Sequence, residues 1–310
     1  MAPLDRRRFL SQLAAAAAVS AVAGVRPAAA GLAAAPRRRL LCFTKSAGWE
    51  HSVVKREAGD APSLVERTLT AMAAREGFDV VCTKDGGVFT PEGLRAYDAL
   101  FFFTTGDLTT PGTDGQPPMP PAGKQALLDA VRDGKGFVGV HSATDTFHTR
   151  RAPGTPATAP TAAGTLDPYL AMLGAEFIIH GAQQAAPVRT VDAAFPGAGD
   201  FAAGVPRMGE WYSLRDFAPD LHVVQVLETA GMTGAPYSRG PYPVTWARRH
   251  GAGRVFYTAL GHREEEWADP AFLGLLRGGI RWAVGDVAAA TPPNLAAAAP
   301  HSADLPPIGA

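Results

Sequence analysis

The sequence predicts an α/β domain built on a doubly wound, mostly parallel sheet, with an antiparallel hairpin near its C-terminal end. Three observations predict it. Short apolar runs at Arg38–Thr44, Phe78–Cys82, Ala99–Phe103 and Phe137–Val140 alternate with stretches of helical spacing. Ala99–Phe103 is apolar at every position, as a strand covered on both faces must be. Pro243–Arg249 and Arg254–Leu260 flank His250-Gly251-Ala252-Gly253, the composition of a hairpin turn.

The elements follow in order. Ala61–Arg75 carries Leu64, Val65, Leu69 and Met72 at helical spacing, with Asp60 and Pro62 at its start and Gly77 as its stop. Thr90-Pro91-Glu92 opens a short helical turn. Residues 104–121 form a Thr/Gly/Pro-rich loop, read either as a lid or as a surface excursion. Lys124–Arg132 is amphipathic and leads into Phe137–Val140. Residues 150–165 are an irregular Pro/Thr/Ala-rich insertion. Asp167–Leu173 is a short helix closed by Gly174, and Ala175–His180 runs apolar into His180-Gly181. Pro187–Val191 and Leu221–Leu227 read as strands, the stretch Met208–Leu214 between them contains Glu210-Trp211-Tyr212, and Ala271–Val284 is the closing helix.

Residues outside this pattern have their own reading. Arg6-Arg7 followed by Phe9-Leu10, the short Ala/Val run Leu13–Val25 and Ala28-Ala29-Ala30 make residues 1–30 a twin-arginine (Tat) export signal. The domain then occupies 38–285, and 286–310 is an Ala/Pro-rich tail expected to be disordered. The expected location is the periplasm or the exterior. The whole chain has a formal charge of +0. Four Arg against one Asp in residues 1–30 leave the remainder near −3, a balance that points to no nucleic-acid partner. No apolar stretch is long enough to span a bilayer, so no membrane partner is expected after signal cleavage. Cys42 and Cys82 both fall inside expected strands and read as core thiols.

The chemistry is expected at the carboxyl end of Phe137–Val140, where His141, Ser142, Thr144, Asp145 and His148 follow in GKGFVGVHSATDTFH. Ligands of open α/β sheets sit at such strand ends. The plain alternative is a capped loop. Further His residues follow other strands or lie in polar loops, namely His51, His180 and His262, with Glu210 in Glu210-Trp211-Tyr212. Three or four imidazoles with a carboxylate can hold a divalent metal such as zinc, with His141, His180, Glu210 and His262 as the ligand set, or can move protons without one. Trp49, Trp211, Tyr212 and Trp267 are candidates for an aromatic floor under a sugar ring, the alternative being core packing. His148, His222 and His250 read as surface or turn residues, and Glu264-Glu265-Glu266 as a solvated run at a helix start.

The GWEHS loop, GKGFVGVHSATDTF, EWY and PVTW…GAGRVFYTALGH, in that order along the chain, resemble the ThuA-like domain family, named for trehalose utilisation. The resemblance implies a flavodoxin-like fold similar to class I glutamine amidotransferases. Such amidotransferases carry a nucleophilic Cys where this chain has His141, so Cys-dependent amidotransferase chemistry is not expected here. Ser142 is adjacent but lacks a G-x-S-x-G elbow. The resemblance also implies carbohydrate metabolism on a 3-keto-glycoside or related sugar derivative, made by a partner sugar oxidoreductase. In this reading His141, Asp145 and Glu210 are catalytic, with His141 and Asp145 as an acid/base pair. Trp49, His51, Ser142, His180, Trp211, Tyr212 and His262 bind substrate. The alternatives are a non-catalytic periplasmic carbohydrate-binding module and a metal-dependent hydrolase of another small substrate.

Overall fold

Side chains that alternate across each strand set the layers of this molecule. The computed structural model describes residues 37–57, 60–151, 155, 159, 161–162, 164–201 and 204–308; the expected export signal lies outside them. The strands are β1 (Arg39–Phe43), β2 (Asp79–Thr83), β3 (Ala99–Phe102), β4 (Gly136–Val140), β5 (Glu176–His180), β6 (Gln184–Thr190), β7 (Pro206–Gly209), β8 (Tyr212–Arg215), β9 (His222–Leu227), β10 (Tyr242–His250) and β11 (Gly253–Thr258). Nine of them form one mixed sheet in the order β2-β1-β3-β4-β11-β10-β9-β6-β7. The half from β2 to β11 is parallel, and from β11 outward every pair is antiparallel. The predicted α/β class and the β10–β11 hairpin are both present.

The helices are α1 (Leu64–Glu76), α2 (Pro91–Leu94), α3 (Gly123–Arg132), α4 (Pro168–Leu173), α5 (Pro270–Ala283) and α6 (Leu295–Ala298). Leu40 and Cys42 face one side of β1 and share a core with Val65 and Leu69 of α1 and Leu276 and Ile280 of α5. Leu41 and Phe43 face the other side and share a core with Leu127 and Val131 of α3 and Leu170 of α4. This is the period-2 alternation of a sheet covered on both faces. Helix α1 begins at a capping box: Ser63 Oγ accepts from Glu66 N, and Glu66 Oε2 accepts from Ser63 N at 2.8 Å. The start expected at Ala61 therefore moves to Ser63. Helix α3 has no side-chain cap. Burial of Leu127, Leu128 and Val131, at about 1.5–3 kcal/mol each, outweighs the ~1 kcal/mol a cap contributes.

Further expectations change. Strand β5 leaves the main sheet and pairs with β8. The single stretch expected over Met208–Leu214 divides into β7 and β8, and Glu210-Trp211 occupy the break. His222 is buried, with Nε2 2.9 Å from Asp192 Oδ2 and Nδ1 2.8 Å from the Pro292 carbonyl. Glu266 is buried and accepts from Arg263 N, so only part of the Glu264–Glu266 run is solvated. Cys42 and Cys82 are free thiols and register partners in β1 and β2.

The tail from 286, expected to be disordered, packs against the domain as far as residue 308. Strand β6 pairs with β9 only over Gln225–Leu227, which leaves the β9 backbone open at Val223. Asn294 closes that gap: its Oδ1 accepts from Val223 N at 2.6 Å and its Nδ2 donates to Val223 O at 3.1 Å. Ala298 and Ala299 are buried beyond it, and Arg239 donates to the Ser302 carbonyl at 2.7 Å. Low complexity concealed this, because the anchoring uses one amide and small methyl groups rather than a periodic apolar face. Asn294→Ala is expected to destabilise the protein by about 1–2 kcal/mol, since two β9 backbone groups lose their partners. Urea unfolding measures this, and an unchanged midpoint would show that the tail does not close the sheet.

Candidate functional site

Strand β4 ends at Val140, and the next residue, His141, has φ of +45°, a left-handed conformation that β-carbon-bearing residues rarely adopt. The turn His141–Asp145 that follows is tightly bonded. Tyr257 of β11 donates its hydroxyl to the His141 carbonyl at 2.7 Å. Thr144 Oγ1 lies 3.0 Å from that hydroxyl, and Tyr169 of α4 donates to the Ala143 carbonyl at 3.1 Å. Gly139 permits the approach: a Cβ there would lie 3.0 Å from Leu173 and 3.2 Å from Ala143. The His141 ring is wholly buried, with Nδ1 3.0 Å from the Ala259 carbonyl. A carbonyl only accepts, so Nδ1 carries a proton and Nε2 faces the site.

Two other strand ends deliver the neighbouring imidazoles. His51 follows the loop after β1 and opens the turn Ser52–Val54, whose Val53 and Val54 are buried. His262 follows β11 after Gly261, which has φ of +105° and where a Cβ would lie 2.9 Å from Val140. Glu210 enters from the β7–β8 break. The ring centroids of His51, His141 and His262 lie 5.0–5.4 Å apart. Glu210 Oε2 lies 3.5 Å from His141 Nε2 and 3.4 Å from His262 Nε2. One ligand atom from each of His51, His141, Glu210 and His262 fits within 4.8 Å of the others.

Burial keeps His51 and His262 uncharged. Burial, reinforced by the nearby His141 and His262, lowers His51 to about 2. Burial and His141 lower His262 to about 4. Burial pushes the Glu210 carboxyl upward, but the nearby imidazoles, His141 before His262 and His180, more than offset this, so it lies below its ordinary value. His51 Nδ1, His141 Nε2 and His262 Nδ1 are buried without a hydrogen-bond partner. The floor thus gathers three imidazoles and a carboxylate, a donor set suited to a divalent transition metal.

The other expected site residues divide. His180 of β5 reaches the second Glu210 oxygen, with Nδ1 3.4 Å from Oε1, and remains half-exposed. It therefore stands outside the close quartet, and His51 takes its place there. Asp145 lines the same cleft, but its carboxylate bonds His148 Nε2 at 2.7 Å. Among the described residues, the carboxylate beside His141 is Glu210 rather than Asp145. Tyr212 lies in the cleft wall, its ring centroid 4.3 Å from His141 and 4.1 Å from Phe177. Trp49 is 75% exposed on the rim. Trp211 is buried, donates Nε1 to the Gln184 carbonyl at 2.9 Å and belongs to the core, as does Trp267. Ser142 is wholly buried with Oγ unpartnered and does not line the cleft.

The cleft has a volume of about 640 Å³, and its walls also include Glu50, Lys55, Phe177 and Gln183. Sequence reasoning missed these. It also missed Lys84, buried after β2, which donates to Glu50 Oε1 at 2.9 Å and lies 3.4 Å from Asp114 Oδ2. A lysine directly after an apolar strand was the available signal. Asp114 accepts from Ser46 N at 2.8 Å, and Lys45 Nζ donates to the Gln116 carbonyl at 2.7 Å. These bonds fasten the loop 104–121 to the end of β1. His148, expected at the surface, is half-exposed yet sits between Asp145 and Glu176, which is bonded to Arg215 at 2.7 Å.

None of the curated proteins compared matches the chain. Among solved structures, a ThuA-like protein from Bacteroides uniformis is 20% identical, with a TM-score of 0.58, covering 82% of this chain and 94% of its own. A ThuA-like protein from Parabacteroides merdae is 16% identical, with a TM-score of 0.55, covering 82% and 92%. These likenesses extend to the fold. The sequence profile of the ThuA family, described as trehalose utilisation, matches residues 39–283, from the first residue of β1 to the last of α5, and the chain belongs to that family.

Proposed function

We propose that the cleft binds a sugar derivative bearing a ketone, a 3-keto-glycoside, and breaks its glycosidic bond by proton transfer. The observation that carries this reading is the floor, where His141 Nε2 and His262 Nε2 both approach one oxygen of the Glu210 carboxylate. Acceptor atoms facing one another in a buried site need positive charge between them. Charge held there polarises a substrate ketone and acidifies the adjacent C–H. Phe177 and Tyr212 present apolar faces to a sugar ring, while Glu50, Lys55 and Gln183 are available to its hydroxyls. Membership of a trehalose-utilisation family supports the substrate class.

Asp145 is the base in this reading. His148 holds one of its oxygens, which leaves the other for the cleft. Asp145 takes the proton from the carbon between the ketone and the anomeric centre. The C–H electron pair becomes a C=C bond, the glycosidic C–O bond breaks, and the leaving oxygen takes up a proton at the open mouth, beside His180. No covalent nucleophile is needed. The exposed Trp49 on the rim favours a second reading, a carbohydrate-binding module without turnover.

His141→Ala and Asp145→Asn are each expected to lower kcat on a 3-keto-disaccharide by about 10²–10⁴-fold, with melting temperatures close to wild type for Asp145→Asn. Steady-state assays decide this. Wild-type protein that binds the sugar without turning it over would select the binding-module reading.

A pH dependence of stability follows from His148. Its bond to Asp145, then that to Glu176, raises it from 6.5 to about 9. A raised folded-state value means that the stabilisation is complete below about 6.5 and is lost as pH rises through 9. The side chain is half-exposed, so the screened contribution is on the order of 1 kcal/mol. His148→Gln should remove the fall in unfolding free energy between pH 6.5 and 9. Parallel slopes in both proteins across that window would refute the pairing.

A further inference from the structure

We propose that His51, His141, Glu210 and His262 bind one divalent transition-metal ion, with zinc the metal best suited to the set. The proposal names the positive charge that the functional reading places at the floor, and it rests on that placement of the site. The geometry carries it in three ways. First, the two separations at Glu210 Oε2 are longer than a charge-assisted hydrogen bond and match the spacing of ligands around an ion, with His51 completing the set within 4.8 Å. A charge-assisted N–H···O bond closes to about 2.7–2.9 Å, yet His141 Nε2 and His262 Nε2 stand 3.5 and 3.4 Å from Glu210 Oε2. Ligand atoms at about 2.1 Å around a tetrahedral zinc lie ~3.4 Å from each other.

Second, the nitrogens are vacant. His141 is wholly buried and His51 nearly so, yet His141 Nε2 and His51 Nδ1 have no hydrogen-bond partner. Leaving such an atom unsatisfied is costly, and an ion bound at the lone pair removes that cost. Third, the support of a metal ligand is built. His141 Nδ1 donates to the Ala259 carbonyl at 3.0 Å, which fixes the tautomer and aims Nε2 at the other three residues. Three nitrogens and one oxygen, without a thiolate, select zinc, cobalt or nickel over calcium and magnesium, which take oxygen ligands. Glu210 and His262 line the cleft, so the ion is open to substrate on that side.

The test uses the full chain and reads metal rather than turnover. Protein stripped with a chelator is titrated with Zn²⁺ by calorimetry and with Co²⁺ by visible absorption. The expected result is one ion per chain and the intense d–d bands of a four- or five-coordinate cobalt site. His51→Gln, His141→Ala and Glu210→Gln, each checked for native circular dichroism, should weaken binding by about 100-fold or more, beyond the 10–100-fold typical of losing an outer-shell partner. His180→Ala should weaken it by less than about 10-fold, as an outer-shell change. Binding well below one ion per chain, a weak octahedral cobalt spectrum, or equal affinity in wild type and in the folded His51→Gln and Glu210→Gln variants would overturn the proposal. A protein that binds zinc at the quartet but leaves 3-keto-disaccharides intact would overturn the substrate reading and leave the metal assignment standing.

Discussion

The backbone at His141 is the constraint on which the site depends. A non-glycine residue at positive φ is strained by about 1–2 kcal/mol, and it persists only when its surroundings hold it. Here the holding groups come from β11 and the segment beyond it. Tyr257 donates to the His141 carbonyl and Ala259 accepts from its ring. Strand β11 lies parallel to β4 in the sheet, with Thr258 opposite Val140. The strand that flanks β4 therefore also orients the side chain that β4 delivers, and its own continuation supplies His262. Two ring positions are set by one strand pairing, which is more precise than loop placement allows.

Charge is arranged in layers around that centre. Burial disfavours charge on His51 and His262, while His148 is held as a cation between Asp145 and Glu176, and Glu176 is bonded in turn to the buried Arg215. On the opposite wall Lys84 holds Glu50, and Asp114 links Lys84 to the backbone of Ser46. A buried lysine without such partners would be costly. These ions therefore tie the loop 104–121, read from sequence as a lid or an excursion, to the end of β1. The cleft is bordered by clamped segments.

The parallel half of the fold was legible because its signals are local. Uninterrupted apolar runs mark β1, β3 and β4, and Thr90, Gly77 and Gly174 punctuate the helices, while the cap at Ser63 lay two residues beyond the expected start. The antiparallel half was less legible. Glu176–His180 looks like any other strand, and only its pairing with β8 places it outside the main sheet. The tail was misread because Asn294 acts through one amide. In the site, His141, His262, Glu210 and His51 were all candidates from their strand-end or loop positions. The choice between His51 and His180 as the fourth member was not legible, since it depends on which side of Glu210 each ring occupies. Trp211 and Tyr212 are adjacent, so in an extended segment only one can face the cleft; alternation predicts that one is core without saying which.

An imidazole rather than a thiol stands at the end of β4, and this limits what the site can be. A cysteine there would be activated as a thiolate by neighbouring imidazoles and would act as a nucleophile. The cysteines of this chain are elsewhere: Cys42 is buried within β1, where burial, then Cys82, raises its thiol well above the usual range, so it is inert. Ser142, the remaining hydroxyl beside the turn, is buried, and its Oγ has no base bonded to it among the described residues. What the strand end offers instead is a fixed lone pair, His141 Nε2, surrounded by two further imidazoles and a carboxylate. Lone pairs gathered in a dry pocket attract a cation rather than attack a carbon. At the end of β4 the chain thus holds nitrogen rather than sulfur, set against the Glu210 carboxylate, and its cysteines lie away from it in β1 and β2.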